Sequence, residues 1–144
     1  MKYYLHKILV IRQSYNPNIK EYSIVEFEKF SECLTEFKKI FFIKGDKTTV
    51  KNKNSEQILL GRISTSKEKL KPILEYDFLK KEIFVSLDIN SKYIGYRNFN
   101  YCKNFVIFET NLKKVALEFQ EKMKIFQDSK NIYFIHEIPK CLNF

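Results

Sequence analysis

Ser23-Ile24-Val25-Glu26-Phe27-Glu28-Lys29-Phe30-Ser31-Glu32-Cys33-Leu34-Thr35-Glu36-Phe37-Lys38-Lys39-Ile40-Phe41 carries the clearest local signal in the chain. Ser23 and Glu26 have capping-box spacing, in which the serine and glutamate side chains satisfy exposed amides at a helix start. Phe27, Phe30, Leu34, Phe37 and Phe41 then recur at alternating three- and four-residue steps, with Ile24, Cys33 and Ile40 beside them. That period predicts a helix with one broad apolar stripe, ended by a left-handed cap at Gly45. Glu28, Glu32 and Glu36 fall opposite the stripe as an acidic ridge. Like charges at that spacing cost an isolated helix a few tenths of a kcal/mol per pair, so the ridge needs a use or indifference; Lys29 and Lys39 relieve part of the repulsion.

On the N-terminal side of this helix, residues 3–12 are rich in β-branched and aromatic types and end at the turn-prone Ser14-Tyr15-Asn16-Pro17-Asn18, which reads as a first strand. On the C-terminal side, residues 46–56 are polar enough for a long loop or an exposed hairpin, and residues 57–63 read as a strand. A short helix is expected between Ser64 and Leu79, limited by Pro72. Ile83, Val85, Leu87 and Ile89 alternate with Phe84, Ser86, Asp88 and Asn90 as a half-buried strand does. With residues 92–97 and 104–109 this strand makes a meander of three. A second helix capped by Thr110 or Asn111 places Leu112, Val115, Ala116, Phe119, Met123 and Phe126 on one face, and residues 132–138 form a last strand. The expected architecture is α+β: a mixed or mostly antiparallel sheet of about five strands with two amphipathic helices packed on one face, in a single domain over residues 1–144.

Composition narrows the function. The chain has 144 residues, 44% apolar, with 14 Phe and 9 Tyr, which suits a folded domain and not a disordered one. No apolar run approaches the about 20 residues of a membrane span. The start offers no secretory pattern, and Cys33, Cys102 and Cys141 are odd in number and scattered, so a reducing, cytoplasmic location is expected. No motif for metal, phosphate or nucleophilic chemistry occurs, and no cofactor is called for. His6 and His136 both fall in strands; with Asp88 and Glu109 they are the residues a hydrolase would have to use.

The net charge of +9 is local, because residues 38–71 hold ten basic and three acidic groups. Lys44, Lys47, Lys51, Lys53, Arg62, Lys67 and Lys69 form the candidate footprint for nucleic acid. Since the segment is nearly all lysine, such binding would follow the backbone and ignore sequence. Residues 92–103 interleave Tyr93, Tyr96, Phe99 and Tyr101 with Arg97 and two lysines, a composition fit for stacking bases or for protein recognition.

In its short length, Lys- and Phe-rich composition, lack of a catalytic motif and layout of amphipathic helices on a sheet, the chain resembles bacterial immunity proteins that neutralise a cognate polymorphic or contact-dependent toxin. The resemblance implies a protein partner blocked at or beside its active site. Members facing nucleases often present acidic groups in place of nucleic-acid phosphates; Glu28, Glu32 and Glu36, with Glu21 and Glu26 nearby, are the comparable feature here, joined by Tyr93, Tyr96 and Arg97 as partner-binding residues. The basic net charge departs from the usual acidic balance of that family.

Overall fold

A computed structural model describes residues 1–13, 16–41, 55–69, 74–77, 82–88, 93–99, 103–108, 125–127 and 131–137. The first long strand, β1 (Tyr3–Gln13), runs through the β-branched and aromatic opening of the chain. It turns back into β2 (Asn16–Phe27), with Gln13 opposite Asn16 and Tyr3 opposite Phe27. After β2 the chain enters α1 (Phe30–Phe41), then β3 (Ser55–Ser64), β4 (Leu74–Asp77), β5 (Glu82–Asp88), β6 (Tyr93–Asn98), β7 (Lys103–Phe108), β8 (Ile125–Gln127) and β9 (Asn131–Glu137). The strands form two sheets, one of five in the order β2-β1-β3-β6-β7 and one of four in the order β4-β5-β9-β8. Every ladder is antiparallel.

The helix begins at Phe30 and not beside Ser23. Residues 23–27 are instead the end of β2, pairing with Lys7 back to Tyr3. The ladder to β1 pairs these residues without interruption, and Ile24 and Val25 are stiff β-branched residues, so tertiary pairing overrides the local capping signal. The apolar row nevertheless survives across the boundary. Phe27 leaves β2 on the face that α1 covers, so Phe27, Phe30, Leu34, Phe37 and Phe41 all reach one core although only the last four are helical.

That core lies between α1 and the five-stranded sheet, where Leu5, Cys33, Phe37, Phe41 and Ile63 are buried and Tyr3, Leu59 and Tyr93 pack against them. Tyr93 meets the rings of Phe30 and Phe37 at 5.6 and 5.8 Å. Phe41 sits over Gly61 and Gly95, which oppose each other on β3 and β6. A strand glycine permits such an approach because it has no side chain to displace. The other face of the sheet is equally dry: Ile8, Val10, Ile58, Leu60, Ile94 and Tyr96 are all buried. A sheet buried on both faces explains the near-continuous apolar run Ile8 to Ile11.

Two further expectations change. Residues 65–69 are irregular and residues 74–77 are a strand, so the described part of the segment 64–79 is not helical; residues 70–73 and 78–79 lie outside the described residues. Ser64 and Ser66 hydrogen-bond the local backbone in this segment, which competes with helix formation. The meander is divided: β6 and β7 join β3 in the first sheet, whereas β5 lies between β4 and β9 in the second. The body of the second expected helix, residues 109–124, and the loop over residues 46–54 lie outside the described residues, while Phe126 falls in β8. The fold is thus antiparallel and α+β-like, with one helix among the described residues and nine strands in two sheets.

Candidate partner-binding surface

Acidic side chains line the path from the edge strand into the helix. Glu21 and Glu26 lie exposed on β2, Glu28 in the turn and Glu32 in the first turn of α1, with Glu36 further along the helix. Because α1 begins at Phe30, Glu28 precedes the helix, and only Glu32 and Glu36 share its outer surface one turn apart. Three of these carboxylates are tied to lysines. Lys2 reaches Glu26 at 3.3 Å and Glu28 at 3.7 Å, and Lys39 reaches Glu36 at 3.0 Å. The two carboxylates raise the Lys2 pKa, led by the hydrogen bond to Glu26. Such exposed pairs are screened by solvent and hold the side chains weakly, so a partner's cations can replace them at little cost.

The aromatic part of the expected surface is turned inward. Tyr96 is fully buried on the sheet face away from α1, and Tyr93 is half-buried beneath the helix. Arg97 lies over the Phe99 ring at 4.7 Å and donates a long bond of 3.4 Å to the Ile40 carbonyl near the C-terminus of α1. There a cation meets the negative end of the helix dipole, a structural position. The reason is register. Tyr93 opposes Ile63 on the helix side, and Tyr96 opposes Leu60 on the other, so both odd and even positions of β6 enter cores.

Of the basic footprint, Lys44, Lys47, Lys51 and Lys53 lie outside the described residues. Lys67 and Lys69 are exposed, and Lys69 stands 5.7 Å from the centre of the Tyr22 ring. Arg62 is not a surface residue: it is 4% exposed and donates to the Glu68 carbonyl at 3.0 Å.

His6 is a satisfied strand histidine that organises this part of the sheet. Its imidazole is buried on β1, with Nδ1 3.0 Å from the Tyr22 hydroxyl and Nε2 2.8 Å from the Ser66 carbonyl. A carbonyl only accepts, so Nε2 carries the proton and Nδ1 accepts from the phenol. Ser64 Oγ donates to the same carbonyl at 2.9 Å and lies 3.3 Å from Nε2. Burial, opposed by the Ser66 bond and reinforced by the Arg62 charge, lowers the His6 pKa from 6.5 to about 4, which keeps it neutral. Together His6 and Arg62 hold the backbone of residues 66–68 against the sheet. His136 belongs to the other sheet, opposite Ile83, so the two histidines are not on neighbouring strands. Among the described residues no group of three or more His, Cys, Asp or Glu is disposed to hold a metal ion, and no helix is long and apolar enough to cross a membrane.

Compared with protein-family models, with curated proteins and with solved structures, the chain matches none of them.

Proposed function

We propose that this chain is a non-enzymatic protein-binding protein, an inhibitor of the immunity type that neutralises a cognate bacterial toxin by covering part of its surface. The observation that carries the reading is the row of accessible carboxylates from Glu21 and Glu26 through Glu28 to Glu32 and Glu36, set on a strand, a turn and a helix that a common core holds rigid. A rigid row of like charge loses little entropy on binding and is complementary to a basic cleft. With Tyr96 buried and Tyr93 and Arg97 half-buried, the reading rests on these charges.

A second reading, sequence-indifferent nucleic-acid binding by segment 38–71, draws on exposed Lys38, Lys39, Lys67 and Lys69. One experiment separates the two. The immobilised full chain and its Glu28→Lys/Glu32→Lys/Glu36→Lys form are challenged with lysate of the native source, and the eluates are analysed for protein and for nucleic acid. Protein-binding through the carboxylates expects one protein retained by the native chain and lost by the reversed one. Nucleic acid retained by both, with tight binding to heparin at moderate salt, would instead favour the basic segment.

A further inference from the structure

Residues 65–69 carry the chain out of the five-stranded sheet at Ser64, the end of β3, toward β4 of the other sheet. All five side chains from Thr65 to Lys69 are exposed, so this strap is not held down by apolar burial of its own. It is fastened by its backbone. The Ser66 carbonyl accepts from His6 Nε2 at 2.8 Å and from Ser64 Oγ at 2.9 Å, and the Glu68 carbonyl accepts from Arg62 at 3.0 Å. The two basic residues in this fastening are buried, and they lie directly opposite each other on β1 and β3.

The arrangement suits one positive charge and not two. With His6 neutral, Nε2–H donates to the strap and Nδ1 accepts from the Tyr22 hydroxyl. Protonation puts a hydrogen on Nδ1 as well, so the hydroxyl must turn away, and it sets an imidazolium opposite the Arg62 guanidinium, where like charges on paired strands repel. Among the described residues the groups facing His6 are Tyr22 on β2, Arg62 and Ser64 on β3 and the Ser66 carbonyl on the strap. Lys69 stands 5.7 Å from the centre of the Tyr22 ring, and Lys67 and Glu68 are exposed. β4 also comes near β2; the side chains of its Glu75, Tyr76 and Asp77 lie outside the described residues. Lifting the strap admits water to the imidazole without drawing any apolar side chain of the strap out of a core. We propose that residues 65–69 are an acid-released latch: protonation of His6 lifts them and loosens the passage between the two sheets while the five-stranded sheet stays folded.

A glutamate-specific protease active in mild acid and at neutral pH tests this on the full chain. A protease must hold its substrate extended over several residues, so Glu68 is cut only when the strap is lifted. Cleavage after Glu68 is compared at pH 7 and pH 4.5 with that of a synthetic peptide of the same local sequence. With His6 titrating near 4 when latched and near 6.5 when freed, the relative rate should rise on the order of 50-fold over that interval. Cleavage after Glu26, paired in the ladder of β2 to β1, should stay far slower at both pH values. In His6→Gln the relative rate at Glu68 should no longer depend on pH. If that variant does not fold, Tyr22→Phe, which keeps the imidazole, should still be cut faster in acid. A relative rate at Glu68 that ignores pH in the native chain would overturn the latch. So would acceleration at Glu26 equal to that at Glu68, an acid response that persists in His6→Gln, or its loss in Tyr22→Phe.

Discussion

Gly61 and Gly95 face each other across the β3–β6 ladder, directly under the ring of Phe41. The last turn of α1 can therefore descend onto the sheet, where Arg97, two residues beyond Gly95, reaches the Ile40 carbonyl. The two glycines differ in what a side chain would meet. A Cβ on Gly95 would stand 2.5 Å from Phe41 Cγ, the fixed root of the ring, whereas on Gly61 it would meet the ring's far end.

Gly95→Ala should accordingly cost about 1–3 kcal/mol of stability, the range of overpacking a dense core, and Gly61→Ala less. Urea unfolding checks the order. In a Phe41→Leu background the cost of Gly95→Ala should shrink, since the overlapping ring is gone.

His6 predicts a pH dependence. Folded, it stays neutral down to about pH 4, while the unfolded chain takes up a proton near 6.5. Between those values the unfolded state holds the extra proton, so acid favours unfolding and stability rises with pH through the window, then levels off above it. The full effect is on the order of 3 kcal/mol. Denaturant unfolding between pH 4.5 and 7.5 should show this slope in the native chain, and His6→Gln should remove that part of it while the carboxylate contribution stays.

Tyr22→Phe removes the hydroxyl that donates to Nδ1 of His6. An acceptor left unsatisfied in a buried site costs about 1–3 kcal/mol, which a lowered thermal midpoint would register. The imidazole should also titrate at a different pH in this variant, measurable by NMR of its ring protons.

Cys33 is buried in the α1 core, and burial pushes its thiol up to about 11. The thiolate is the reactive species, so Cys33 should resist alkylation at pH 8 in the folded chain and label fully in denaturant. Mass spectrometry of the Cys33 peptide distinguishes it from Cys102 and Cys141.

Much of the strand pattern was legible, for physical reasons that particular residues make plain. β1, β3, β5, β6, β7 and β9 coincide closely with stretches whose β-branched and aromatic content marks them in isolation. The helix start was misplaced because Ser23 and Glu26 satisfy a local rule, while the competing partner, Lys7 to Tyr3, lies on another segment that spacing does not reveal. Which strands share a sheet was hidden for the same reason, since β3 meets β6 across an intervening excursion through β4 and β5. Among site residues, the exposure of Glu28, Glu32 and Lys69 followed from polarity. The burial of Tyr96 and Arg62 did not, because it depends on what packs over β3 and β6. Gly61 and Gly95 were the available signal for a close approach: two of only three glycines in the chain, each inside a strand.

Calorimetric titration of the captured protein partner into the native chain and into Glu28→Lys/Glu32→Lys/Glu36→Lys decides whether the carboxylate row is the binding surface. Loss of three charges' attraction and its replacement by repulsion should weaken binding at least about 100-fold, or about 3 kcal/mol, with thermal stability nearly unchanged because all three side chains lie outside the core. Equal affinity for the two chains would contradict a role for Glu28, Glu32 and Glu36 in holding the partner.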